Sequence, residues 1–305
     1  MTDFRWLQLY IACIDKEIAM GSDNQSAAGT DIDPDIREFI RRTSQDYIRF
    51  APQDFNDFSQ RRHTAEQVRK PWVEGGPVMH ATQDLTLDAI GVSIRIYKVK
   101  AQPSTGTLFY IHGGGWVMFS IDTHDRVMRE YAARSGFDIV GIDYSLSPES
   151  RYPKALHECA AVIDWLREND TQHGLNTEKL AIGGDSVGAN LSLATSIFMR
   201  DRGISLDAMV LNYGAYDTEY RPSYDRFDGP HYMLTADEMV QFWQHYLGDQ
   251  PIENAEFARP IRSDLSGLPP AFLCIAPYDV LADENYDLAR KLTAAGVDTI
   301  PPLAG

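Results

Sequence analysis

Short apolar runs recur along this chain at residues 107–111, 137–142, 179–183, 208–213 and 271–276. Amphipathic helical stretches separate them at about 122–135, 153–169, 187–201 and 283–295. Runs that stay apolar throughout, instead of alternating, suit strands buried on both faces. Strands that alternate with helices build a parallel sheet, because two parallel neighbours need a crossover long enough to hold a helix. The pattern restricts the fold to α/β, a mostly parallel sheet flanked by helices. Ahead of it, residues 84–89 and 91–99 alternate in polarity around Gly91 and predict an antiparallel pair.

Two regions break the rhythm. Phe4, Leu7, Ile11, Ile14 and Ile18 fall at helical spacing, and residues 21–32, rich in Gly, Ser, Asn and Ala, read as a loop. Asp33-Pro34 is an N-cap followed by proline at the first helical position, opening a second helix marked by Ile36, Phe39, Ile40, Thr43 and Tyr47. Residues 216–262 are too long for a simple crossover, and Thr235-Ala236-Asp237-Glu238 starts a helix carrying Met239, Phe242, Trp243 and Tyr246. The expected division is a helical cap from residues 1–50 plus about 216–262, over an α/β domain from about 80–215 and 263–305. For the insertion, an ordinary surface excursion is the alternative.

The 28 basic against 44 acidic residues give a net charge of −16, which disfavours nucleic acid or an anionic membrane surface as partner and weakly favours neutral or cationic substrates. Cys13, Cys159 and Cys274 are odd in number and far apart, so no disulfide framework or metal motif is visible; three small buried hydrophobes in a reducing compartment is the expectation. No run of about 18 apolar residues would span a membrane, and Met1-Thr2-Asp3 lacks the basic opening of a secretion signal, so a cytoplasmic location is expected. Oligomeric state stays open, a homo-oligomer included.

The chemistry is concentrated in two glycine-rich motifs. Gly184-Asp185-Ser186-Val187-Gly188 follows the apolar run Leu180-Ala181-Ile182 and precedes the helix-compatible Ala189 to Ala194. Strand, sharp turn and helix is the context in which G-x-S-x-G is a nucleophile elbow, with Ser186 as nucleophile; a plain helix N-cap is the bland alternative. Upstream, His112-Gly113-Gly114-Gly115-Trp116 follows Leu108-Phe109-Tyr110-Ile111. Backbone free of side chains can approach an acyl group and aim N–H groups at its oxygen. The N–H of Val187, at a helix start, would be a further donor. A phosphate-cradling loop is disfavoured, since neither Gly-Lys-Ser/Thr nor G-x-G-x-x-G is present. His112 is expected to order the glycine loop and not to serve as base.

These two motifs, with Asn190 after the second, resemble those of the hormone-sensitive-lipase branch of the α/β-hydrolases. So does Asp143-Tyr144-Ser145-Leu146-Ser147-Pro148-Glu149, which is similar to that family's Asp-Tyr-Arg-Leu-Ala-Pro-Glu segment. The chain departs from the pattern at Ser145 for arginine, Ser147 for alanine, and Val187 and Ala189 where alanine and glycine are common. The resemblance spans roughly residues 80–305. It implies an α/β-hydrolase fold with a helical cap and cofactor-free hydrolysis of short-acyl carboxylic esters, a small molecule being the partner. It further implies Gly114, Gly115 and Val187 as oxyanion donors, with His112 and Gly113 as motif support. The family's Asp-Pro-Leu-x-Asp-Glu stretch is similar to Ala276 through Glu284 and points to Asp279 as the acid, with Asp283 as rival.

The base is the open position. Nucleophile-elbow hydrolases run serine, acid, histidine along the chain, and the last histidine here is His245. The family's base would fall about three or four residues beyond Gly305, and Leu303-Ala304-Gly305 resembles the lead-in to its loop. Four readings compete: a chain that continues into that histidine, a shortened and poor hydrolase, a substitute base such as His231 or His245, and a catalytically inactive small-molecule-binding protein of the same fold. Trp116, Phe119, Tyr216, Phe242 and Trp243 are candidates for an apolar pocket or for core.

Overall fold

The computed structural model describes residues 32–300. The helix expected at residues 4–20, the loop at 21–31, Cys13 and the Leu303–Gly305 segment lie outside the described residues. The chain opens with helices α1 (Pro34–Arg49) and α2 (Phe58–Val73), then an antiparallel pair β1 (Ala81–Leu87) and β2 (Val92–Lys98). Alternation follows: β3 (Thr107–Ile111), α3 (Asp125–Ser135), β4 (Asp138–Asp143), α4 (Lys154–His173), β5 (Leu180–Asp185), α5 (Val187–Asp201) and β6 (Ala208–Asn212). After α6 (Pro222–Arg226) and α7 (Ala236–Leu247) come β7 (Ala271–Cys274), α8 (Ala282–Ala294) and the two-residue β8 (Thr299–Ile300).

One eight-stranded sheet results, in the order β1-β2-β4-β3-β5-β6-β7-β8, parallel from β4 to β8. The all-apolar runs become central strands: every residue of β3 is buried, as are the first five of β4 and β5. Two cores lie on the sheet's opposite faces, one led by Phe109, Ile111, Ile182 and Leu193, the other by Tyr97, Leu108, Tyr110 and Met128. Alternating side chains of β3 divide between them, as the strand's two-residue period requires.

The structure adds two elements absent from the sequence reading, decides one open choice and corrects one expectation. Helix α2 has no counterpart in the sequence reading, because its sequence is polar all round and carries Pro71; its best local signal is Asp57, whose carboxylate accepts from the N–H groups of Ser59 and Gln60. Strand β8 is too short to leave a pattern. Trp116, Tyr216 and Trp243 are buried in the core and not in a pocket wall. Cys274 is half-buried, whereas Cys159 is fully buried.

Candidate active site

Strand register places the two glycine motifs side by side. Ile111, the last residue of β3, pairs with Gly184 of β5; Asp185 pairs with Asn212 of β6, and Asn212 with Cys274 of β7. All four parallel strands therefore end at one level, and the segments after them meet above the carboxyl edge of the sheet, where open α/β sheets hold their ligands. Close approach dictates the glycines. A Cβ at Gly184 or at Gly188 would collide with the Ile111 carbonyl oxygen.

Ser186 sits in the turn with φ 52° and ψ −122°, a conformation that costs a residue with a side chain of order 1–3 kcal/mol. Three backbone hydrogen bonds hold it there: its N–H donates to Asn212 O at 2.9 Å, and its carbonyl accepts from Ala189 N at 3.0 Å and Asn190 N at 3.2 Å. Its hydroxyl lines a cavity of about 670 Å³, together with Gly114, Gly115, Phe119, His124, Asp185, Tyr213, Phe242 and Asp279. Phe119 and Phe242 thus take the pocket role open to them in the sequence. Val187 is buried as the first residue of α5.

The glycine loop is fixed from both sides. Gly113 N–H donates to Asp185 Oδ1 at 3.2 Å, so it is committed to the elbow. His112 Nδ1 lies 2.7 Å from Gly113 O, its ring stacks on Tyr144 at 4.4 Å, and the Tyr144 hydroxyl donates to His112 O at 3.1 Å. Burial, reinforced by neighbouring His124, pushes the His112 imidazole down to about 3, so it is neutral at working pH. The N–H groups of Gly114, Gly115 and Val187 find no acceptor among the described residues.

Asp185 is a functional group that the motif contained but the sequence reading did not single out. Oδ1 accepts from the Tyr110 hydroxyl at 2.8 Å, and Oδ2 lies 3.3 Å from His124 Nε2. Burial alone would raise this carboxyl; the charge and hydrogen bond of His124, the Tyr110 hydroxyl and His112 together outweigh it and leave it below the usual carboxylate range. His124 Nδ1 is 2.9 Å from Thr123 Oγ1, so both ring nitrogens are engaged. No spacing rule in one dimension joins residues 110, 124 and 185.

Asp279 follows β7 and is half-buried, open on the cavity side. Oδ1 accepts from Leu281 N at 2.8 Å, while burial pushes its carboxyl up to about 6. The first turn of α8, which follows this loop, is tied to the segment after β6: Glu284 accepts from the N–H groups of Tyr216 and Asp217, and Asn285 bonds both the N–H and the carbonyl of Gly214. Asp283, the rival acid, is turned away, accepting from Ser223 N at 2.8 Å and pairing with Arg226 at 2.7 Å. His245 packs its ring on Phe58 at 5.0 Å. Ser186 Oγ has no hydrogen-bond partner among the described residues.

Comparison with known proteins agrees with this architecture. The family described as α/β hydrolase fold matches residues 108–300. An acetyl esterase of Salmonella paratyphi B is 35% identical over 232 residues, covering 74% of this chain and 71% of the relative. An acetyl esterase of Salmonella choleraesuis is 37% identical, covering 67% and 64%, so this chain spans about two thirds of the length of these curated relatives. Among solved structures, a hyperthermophilic esterase from Pyrobaculum calidifontis superposes with a TM-score of 0.79 at 32% identity, covering 88% of this chain and 86% of the other. This chain belongs to the hormone-sensitive-lipase-like branch of the α/β-hydrolases, as a carboxylic-ester hydrolase.

Proposed function

We propose that Ser186 is the nucleophile of this carboxylesterase, acting on short-acyl esters through an acyl-enzyme. The observation that carries the reading is the elbow itself: a strained serine in the 670 Å³ cavity, beside the glycine loop's uncommitted N–H groups. Attack on the ester carbonyl moves charge onto its oxygen. Donors fixed in advance there lower the barrier, because they need no reorganisation as the charge develops. Gly114, Gly115 and Val187 are the donors in this reading, and Gly113 and His112 hold their loop. Asp279 orients the base. The base is not assigned to His112, buried with its ring stacked on Tyr144, to His124, whose two nitrogens are engaged, or to His245, which packs on Phe58.

Helices α1 and α2 and the 216–262 segment form the cap in this reading. Tyr47, Arg61, Trp72, Met233 and Phe242 from these elements line the cavity above Ser186. The short-acyl preference is supported by the acetyl esterases to which the chain is similar. Hydrolysis of p-nitrophenyl acetate, butyrate and octanoate tests it: kcat/KM should fall at the octanoate, and paraoxon should leave a phosphoryl adduct on the peptide containing Ser186. A rise toward the octanoate would overturn the acyl-length reading, and an adduct elsewhere the nucleophile.

A further inference from the structure

The cavity wall carries three guanidinium groups, Arg61, Arg69 and Arg126. Arg126 lies 3.9 Å from Glu130 and donates to Glu74 O. Arg61 feels the charge of Glu238. Arg69, on α2, makes no hydrogen bond and no ion pair among the described residues; its contacts are aromatic faces, with Cζ 4.8 Å over Phe119 and 5.9 Å over Phe39. A half-buried arginine with five donors and no acceptor stands out in a chain with 44 acidic and 28 basic residues.

Its position relative to the chemistry is set by Phe119. That ring packs against the glycine loop, since a Cβ built on Gly114 would stand 2.8 Å from Phe119 Cδ2. Arg69 lies over the same ring, so Phe119 touches both the guanidinium and the loop beside Ser186. Its field also reaches Tyr213, which lines the cavity, where it works against the burial that raises that phenol.

The acidic groups of the wall are each committed elsewhere. Asp185 serves Tyr110, Gly113 and His124; Glu130 pairs with Arg134 at 3.0 Å; Glu238 accepts from Thr235 N and Oγ1, both at 2.9 Å; Asp279 accepts from Leu281 N. Among the described residues, Arg69 is the guanidinium of the cavity wall left with neither a hydrogen bond nor an ion pair.

We propose that Arg69 is a specificity determinant that receives a carboxylate carried by the ester substrate, so that anionic esters are preferred over their neutral counterparts. The inference rests on the esterase reading above. It runs against the chain's net charge of −16. That field is screened beyond about 8 Å at physiological salt, whereas a guanidinium–carboxylate fork acts at contact. The carboxylate can belong to the acyl part or to the alcohol part, and the test separates the two.

For the alcohol side, kcat/KM is compared between 4-acetoxybenzoate and 4-methylphenyl acetate; for the acyl side, between mono-p-nitrophenyl glutarate and p-nitrophenyl valerate. Each charged-to-neutral ratio is measured in the wild type, Arg69→Met and Arg69→Lys, so that leaving-group differences cancel between enzymes. Arg69→Met should lower the ratio about tenfold on one arm, through KM, with the neutral substrate nearly unchanged, and Arg69→Lys should retain part of it. An unchanged ratio on both arms, or an equal loss on charged and neutral substrates, overturns the proposal. If the wild type hydrolyses none of the four, the esterase reading is what fails. Calorimetric binding of unreactive 4-acetamidobenzoate then decides on Arg69: about tenfold weaker binding in Arg69→Met supports it, and equal affinity overturns it.

Discussion

The carboxyl edge of the sheet and the helices above it are built by different means. At the edge, position is a matter of backbone: Ser186 N–H to Asn212 O, Gly113 N–H to Asp185, and glycines whose missing side chains let the elbow press on Ile111 O. Above it, position depends on side chains. Trp116 stacks on Tyr246 at 4.2 Å with planes 3° apart and meets Trp243 at 4.5 Å, while Arg62 of α2 reaches Val117 O and Ser147 O at 2.8 Å. A backbone-built part fixes the reacting atoms within tight limits. A side-chain-built part can change its lining and leave that geometry intact, so chemistry should reside in the first and selectivity in the second.

The sharpest test of that division compares Ser186→Ala with Phe242→Ala. Removing the hydroxyl proposed as nucleophile should cost about 10⁴-fold or more in kcat/KM for p-nitrophenyl acetate, with Tm nearly unchanged, because among the described residues no hydrogen bond of the Ser186 hydroxyl holds the fold. Phe242→Ala enlarges the cavity and should shift acyl-length preference by about tenfold or less. Comparable losses in the two variants would dissolve the distinction. Next in size is Gly188→Ala. Its Cβ meets the Ile111 carbonyl, part of a central strand that cannot retreat, and the cost should be about 3 kcal/mol in urea unfolding. Gly115→Ala directs its Cβ into the Phe242 ring, a side chain that can rotate away, and should cost about 1–2 kcal/mol including the strain of φ 63°. The reverse order would show the upper layer to be the more rigid.

The same contrast governs what could be read from the sequence. Buried parallel strands must be apolar on both faces, so β3, β4 and β5 announce themselves, β6 and β7 share the apolar run although β7 leaves Phe272 exposed, and the glycine motifs mark the places where backbones touch. Capping signals are equally local: Asp33 accepts from Asp35 N, and Thr235 with Glu238 forms a full capping box. Helix α2 escaped because its stability comes from long-range bonds such as Arg62 to residues 117 and 147, which leave no periodic trace. The union of Asp185 with Tyr110 and His124 was invisible for the same reason. Trp116 and Trp243 show the limit of composition: an aromatic next to a motif can be core as readily as pocket, and only packing decides.

At the edge of the sheet, Asp279 offers a test of smaller size whose sign is informative. Its folded carboxyl is raised to about 6 from the ordinary 3.8, so the folded state binds the proton more tightly than the unfolded one. Stability falls as pH rises from about 4 to 6 and then stays level, the penalty reaching at most about 3 kcal/mol, less where cavity water solvates the carboxylate. Asp279→Asn should raise Tm at pH 7.5, and the gain should vanish as pH drops through that window. An imidazolium beside Asp279 would lower its carboxyl instead, and the substitution would then destabilise at neutral pH.

The smallest effect concerns the join between the two layers. Arg62 donates to Val117 O and Ser147 O and pairs with Glu149, whose side chain is 58% exposed. An exposed ion pair contributes little, whereas the carbonyls of two buried residues lose their charged donor if the guanidinium goes. Arg62→Met should therefore cost about 1–2 kcal/mol and Glu149→Gln under about 0.5 kcal/mol, both read in urea. Val117 lies just past the glycine loop, whose Gly114 carbonyl accepts from Val117 N and Met118 N. Loosening it should lower kcat for p-nitrophenyl acetate about threefold with little change in KM, since donors that drift affect the transition state more than the ground state. A drop in stability with kcat untouched would mean that the glycine loop keeps its aim without the helix above it.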